Sequence, residues 1–247
     1  MELIRGRTPR PQKVMLYASH GEGKSTWASQ APGAGFVQTE DGLSFIDCVK
    51  TPLCKSMADV LEGIEIFNQD SDTRWIVIDS IDWAQNLVWQ DLVKRHNEWE
   101  SIETPGYGKG FTLALEEMQK LLTVLDGSIA CGKNVILIGH AHVRAVNNPG
   151  EESYDRWEPK LHKLVNPVVQ EWCDHVLFAT RKTMVKKEDQ GFGKSRKIAT
   201  GSSETVLKCT PKPTHEAKNR AGLPDELPFS FAAFRDALAS KLQKEGK

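Results

Sequence analysis

The chain of 247 residues lacks long apolar runs, is poor in cysteine and has no excess of charge of either sign. Its longest clean apolar stretch, about five residues around Val135 to Ile138, is far short of the roughly 20 needed to cross a bilayer. Five cysteines, Cys48, Cys54, Cys131, Cys173 and Cys209, make an odd set with no C-x-x-C pair and no zinc spacing. They read as reduced thiols of a cytosolic protein rather than as a disulfide framework. The first thirteen residues are basic but have no apolar segment behind them, so no secretory signal is expected. Lys plus Arg number 32 and Asp plus Glu 33. That balance excludes a disordered polyelectrolyte, and any polyanion must be met by local patches.

What is present is a folding chain. With 39% hydrophobic residues, a chain this long can bury roughly 70–75% of its unfolded surface without disulfides or metal. Residues 1–12 read as a basic N-terminal arm, and 13–247 as one domain with a core (13–181) and a β extension with a terminal helix (182–247). Short apolar runs end in polar loops at Lys13–Tyr17, Gly35–Thr39, Arg74–Asp79 and Asn134–Gly139. Helical patterns fill the gaps at 24–30, 57–69, 82–99 and 111–129. In the last, Phe111, Leu115, Met118, Leu122, Leu125 and Ile129 mark one face. Residues 140–166 are polar with little periodicity. His175–Thr180 is strand-like, 182–210 predicts a β-hairpin or meander turning at 191–193, and Phe231, Phe234, Leu238 and Leu242 predict a terminal helix. Alternation of this kind predicts an α/β fold, a mostly parallel twisted sheet flanked by helices. Ligands are then expected after Tyr17, Thr39, Ile78 and Gly139, at the carboxyl ends of the strands.

Residues 18–25, Ala-Ser-His-Gly-Glu-Gly-Lys-Ser, match the P-loop pattern except that Ala18 replaces the first glycine. Backbone N–H groups from Ser19 through His20, Gly21, Glu22, Gly23, Lys24 and Ser25 to Thr26 can wrap a phosphate at a helix start. Lys24 supplies a cation to the β- and γ-phosphates, and Ser25 a hydroxyl to Mg²⁺. Asp79, closing the strand Trp75–Ile78, fits the second acid of such a metal site; its plainer role is at the start of the following helix, where Ser80 or Asp82 would cap better. The expected cofactors are ATP and Mg²⁺. No glutamate follows Asp79 directly, which disfavours the P-loop class that places its catalytic carboxylate there.

Phe36–Leu43 resembles the corresponding strand end of the RecA recombinases, Ile76–Ser80 their Walker B strand, and Val135–His140 the strand carrying their γ-phosphate sensor. The resemblance puts Glu40 in the catalytic position and His140 in the sensor position. Loop histidines or a two-histidine metal pair are the alternatives for His140 and His142. Glu216–Arg220 resembles an element by which a recombinase subunit reaches its neighbour's ATP, implying that role for Lys218 and Arg220. The run 217–224 and the loop Gly106–Gly110 make the chain from Lys13 onward most similar to the phage RecA-like ATPases of the Sak single-strand annealing group. That resemblance implies an ATPase stimulated by single-stranded DNA, a head-to-tail filament or ring, and action in the cytoplasm of a bacterial host. It also admits a single-strand DNA-binding protein as a further partner.

The DNA path implied by the resemblance is 141–165, with Arg144, Arg156, Trp157, Lys160 and Lys163, although four acids balance its four cations. The segment 181–197 is more basic, with seven Lys or Arg against two acids. A helicase loader, a small-molecule kinase and a nucleotide-dependent module that does not hydrolyse are the competing readings.

Overall fold

In the computed structural model, which describes residues 3, 5–6, 8, 10–147, 149–150, 152–189 and 195–243, β1 (Lys13–Ala18) is buried along its whole length. Its side chains alternate between the two faces of a sheet. Met15 and Tyr17 enter one core, and Val14, Leu16 and Ala18 the other. This is why its run is continuously apolar rather than alternating. The sheet contains β2 (Ala34–Gln38), β3 (Val49–Lys50), β4 (Trp75–Asp79), β5 (Asn134–Val146), β7 (His175–Asp189), β8 (Ser195–Lys208) and β10 (Glu226–Pro228). Their order is β10-β8-β7-β1-β5-β4-β2-β3, with β6 (Tyr154–Pro159) against β5 and β9 (Lys218–Asn219) against β7. From β7 to β3 every pairing is parallel, while β8 and β10 add an antiparallel edge. This is the mostly parallel, helix-flanked α/β sheet that the sequence predicted.

Helices cover both faces. One core packs α2 (Met57–Gln69), α3 (Ile81–Arg95), α4 (Lys109–Ala130) and α5 (Val165–Trp172) on the sheet. The other is closed by α1 (Lys24–Ser29) and α6 (Phe231–Gln243). There Trp27 meets Phe231 edge to face at 5.1 Å. Such a side chain contributes about 1.5–3 kcal/mol on full burial, so α6 clamps the short helix that follows the phosphate loop. The expected stripe of α4 holds: Met118, Leu122 and Leu125 are buried, and Phe111, Leu115 and Ile129 pack at its margins. α2 starts in a capping box, with Ser56 and Asp59 each accepting the other's backbone N–H.

Three expectations change. The helix predicted to Trp99 stops at Arg95, because His96 leaves helical geometry and its ring stacks on Trp99 at 4.0 Å. The stretch 140–166, polar with little periodicity, carries regular elements: β5 runs on to Val146, pairs antiparallel with β6, and α5 begins at Val165. Its mixture of charges hid the strands, whose ladder is made by main chain. The division at 181/182 falls inside the continuous β7, whose partner β8 forms the expected hairpin; residues 191–193 lie outside the described residues. Among the described residues, no helix is long and apolar enough to cross a membrane, and all five cysteines are free thiols.

Candidate nucleotide site

β1 ends at Ala18, which sits in regular register between His140 and Ala179 and is fully buried. The position where the motif carries glycine is thus ordinary extended strand, and a methyl group packs there without strain. The loop then turns through Gly21 and Gly23, both at positive φ (71° and 82°), conformations that glycine adopts freely. Gly23 caps α1 with no side-chain cap and no acid in the first turn, so the helix presents free N–H groups to an anion. Lys24 is 6% exposed and donates to the carbonyls of Ala18 (3.3 Å) and Ser19 (3.1 Å). Burial pulls its ammonium below the ordinary lysine range, against the opposing charges of Glu40, Asp79, Asp82 and Glu22.

β5 stands between the strand of the phosphate loop and β4, which carries Asp79. That order brings Asp79, Glu40 and His140 to one edge. Asp79 is 1% exposed, and its Oδ1 is buried with no hydrogen-bond partner among the described residues. Burial raises its carboxyl above the ordinary range, opposed by the Ser25 hydroxyl, Lys24 and His140. An orphaned carboxylate oxygen beside a serine hydroxyl suits a small hard cation that takes oxygen ligands. Ser25 and Asp79 would hold Mg²⁺, which neutralises charge on the β- and γ-phosphates. The Asp79 carbonyl also accepts the N–H groups of Thr39 (2.8 Å) and Glu40 (3.2 Å), and α3 starts at Ser80 without a side-chain cap bond.

Glu40 is half-buried. It accepts from the Ser80 hydroxyl at 3.3 Å and lies 3.8 Å from His140 Nε2. Burial raises its carboxyl, only partly countered by His140. The opposite ring nitrogen of His140, Nδ1, is 2.9 Å from Asp82 Oδ2, and the His140 N–H donates to Asp82 Oδ1 at 3.2 Å. Burial opposes ionisation of Asp82, but its bonds to His140 outweigh this and hold its carboxyl below the usual range. Asp82 therefore fixes the ring that faces Glu40. This partner was weighed from the sequence only as a helix cap, because 58 residues separate it from His140 and only the β4–β5 register joins them. Among the described residues no group of three or more His, Cys, Asp or Glu is placed to hold a metal ion.

The remaining candidates lie apart. Lys218 and Arg220 are at the opposite edge of the sheet, where β9 pairs with the start of β7. β1 separates them from the phosphate loop by roughly 17 Å of strand. Lys218 donates to the carbonyls of Gln170 and Glu171, and Arg220 pairs with Asp174 at 3.0 Å. Of the residues assigned to DNA, Arg144 and Arg156 face the buried Glu158, and Arg156 also binds Glu216 at 2.9 Å. Trp157 stacks with Phe178. Lys160 and Lys163 are exposed. Of the basic arm, Arg10 binds Asp174 at 2.6 Å and Gln12 donates its N–H to Asn134.

Beside Glu40 and His140 opens a cavity of about 840 Å³, which also reaches Trp83, Trp89 and His162. A family model described as an AAA domain matches residues 10–221, from the anchored end of the arm through β9. No curated protein matches the chain.

Proposed function

The chain belongs to the AAA-domain family of P-loop ATPases, and on that footing we propose that it is an ATP-dependent single-stranded DNA-binding protein that promotes annealing or recombination as a head-to-tail oligomer. One observation carries the reading. β5 passes without a break from the sheet, through His140 beside Glu40, into the β5–β6 hairpin. A group that feels the γ-phosphate and a projecting hairpin are one rigid strand, so hydrolysis and DNA contact are mechanically joined.

In this reading Lys24 gathers the negative charge of the transferring phosphoryl group, and Mg²⁺ held by Ser25 and Asp79 would supply further positive charge. Glu40 orients the attacking water and accepts its proton. His140, fixed by Asp82, contacts the γ-phosphate. Lys218 and Arg220, remote from their own subunit's phosphate loop, act on the neighbour's nucleotide, so turnover depends on assembly. The strand's phosphates run along the exposed Lys160 and Lys163, just past the β5–β6 hairpin, whereas Arg144 and Arg156 chiefly neutralise Glu158 and Glu216. Its place is then the cytoplasm of a phage-infected bacterium, where a single-strand DNA-binding protein is a natural partner.

A kinase reading draws on the cavity, which is large enough for a small phosphoryl acceptor. An ATPase assay with and without single-stranded DNA separates the two. DNA-stimulated release of phosphate is expected, whereas transfer of the phosphoryl group to a nucleoside would overturn the DNA reading. Lys24→Ala and Glu40→Gln should each lower turnover about 10²–10⁴-fold, with Glu40→Gln still retaining ATP on a filter.

A further inference from the structure

The cavity beside His140 has aromatic walls and unmet hydrogen-bonding capacity. Trp83 is 45% exposed at its mouth. Deeper in the wall, His162 stacks on Phe111 at 4.2 Å, and Trp89 meets that ring edge to face. The buried Gln85 fixes this wall by accepting the His162 N–H at 2.8 Å. Two ring nitrogens of lining residues, Trp89 Nε1 and His142 Nδ1, are buried and have no hydrogen-bond partner among the described residues. Buried polar atoms ordinarily have one. Of the lining charges Glu40, Asp41 and Asp82 are acidic and Lys160 is basic, which disfavours a further phosphate beside the nucleotide's own. A ligand suited to these walls is a neutral, planar heterocycle with both stacking faces and hydrogen-bonding edges.

We propose that the cavity is a nucleobase pocket, which takes one unstacked base of a single strand while the strand's phosphates stay outside, near Lys160. The assignment rests on the single-strand reading above and deepens it. The Lys160 N–H is held by the His140 carbonyl at 2.7 Å, so a base in the pocket sits against the same segment that faces Glu40. Occupancy then bears on turnover through His140, and the strand's own bases report that it is engaged.

The test titrates the full chain, with ATP and Mg²⁺, against a labelled oligothymidine and an abasic oligomer of the same backbone. Trp83→Ala removes a half-exposed ring and leaves no core void. It should weaken oligothymidine binding about tenfold, as loss of a base-stacking platform does, and leave the abasic affinity and the salt slope unchanged. His142→Ala should weaken the same ligand selectively. Equal losses for both oligomers, or no loss for either in both variants, would overturn the pocket while leaving the single-strand reading in place. A chain that ignores both oligomers but binds free thymidine in equilibrium dialysis, with binding lost in Trp83→Ala, overturns the strand as source of the base. Binding of neither oligomer nor thymidine overturns both readings.

Discussion

The two edges of the parallel sheet treat charge in opposite ways. At the amino edge, Asp174 is nearly buried and fully answered: Arg10 at 2.6 Å, Arg220 at 3.0 Å and the Lys13 N–H at 3.3 Å converge on it. At the carboxyl edge, Glu40, Asp79 and Asp82 crowd around one lysine and one histidine, and an oxygen of Asp79 has no partner among the described residues. Buried carboxylates left short of partners cost stability, and a fold accepts that cost where ligands complete the site. The amino edge is built to hold the sheet, and the carboxyl edge to receive a cation and a nucleotide.

Acid should separate the edges most strongly. His175, first residue of β7, is buried beside Asp174, and desolvation holds its imidazole down to about 4. Its unfolded value is near the usual ~6.5, so below that pH the unfolded chain binds the extra proton. Its contribution is complete above pH ~6.5 and is lost as pH falls toward 4, by about 3 kcal/mol. Glu40 and Asp79 have the opposite sign: their raised carboxyls bind protons more readily when folded, so acid relieves the carboxyl edge while removing the base. Turnover should therefore fall on acidification at a pH above the ordinary carboxylate range, before the fold is lost. Denaturant melts at pH 7 and pH 4.5 on wild type and His175→Gln check the amino edge; identical pH dependence in the two would break the contrast.

Asp174→Asn is the next largest effect. It leaves two guanidinium groups without their carboxylate. Both are about half exposed and keep part of their hydration, so the loss should be about 2 kcal/mol, below that of a fully buried pair. ATP binding per folded molecule, measured on a filter in the cold, should be unchanged, because the phosphate loop lies at the other edge of the sheet. A variant as stable as wild type would mean that the amino edge is held by packing alone.

The sequence carried the framework of both edges but not their pairings. β1, β4 and the sheet portion of β5 were legible because strands buried on both faces must be apolar throughout, and the phosphate loop because its glycines and Lys24 have few substitutes. Glu40 and Asp79 followed from strand ends. Asp82 as the anchor of His140 was not legible, since it depends on the register that sets Asp79 opposite Ile138. β6 was hidden because half of its residues Tyr154–Pro159 are charged, and it holds Glu158 at 2% exposure, a burial that no local pattern announces. The cavity's Trp83, Trp89 and His162 come from α3 and the segment before α5, and only the fold assembles them.

The smallest stability change, and the sharpest probe of the contrast, belongs to Asp82→Asn. The amide keeps an acceptor for the His140 N–H but replaces the carboxylate oxygen that meets Nδ1. The ring loses its fixed orientation, and at the same time one of the crowded negative charges is gone. Lost hydrogen bonds and relieved repulsion from Glu40 and Asp79 oppose each other, so stability should change by no more than about 1 kcal/mol. Turnover should fall about 10–100-fold, as when an orienting partner behind a site residue is removed, with the KM for ATP held by the intact phosphate loop. Asp82→Ala should lose as much turnover and Asp82→Glu should recover part of it, a pattern that loss of folding would not give. Asp174→Asn and Asp82→Asn thus form a crossed pair, the first costing stability and sparing ATP binding, the second costing turnover and sparing stability. If Asp82→Asn melted as early as Asp174→Asn and turned over at the wild-type rate, the carboxyl edge would be structural like the amino edge, and His140 would need no fixed orientation.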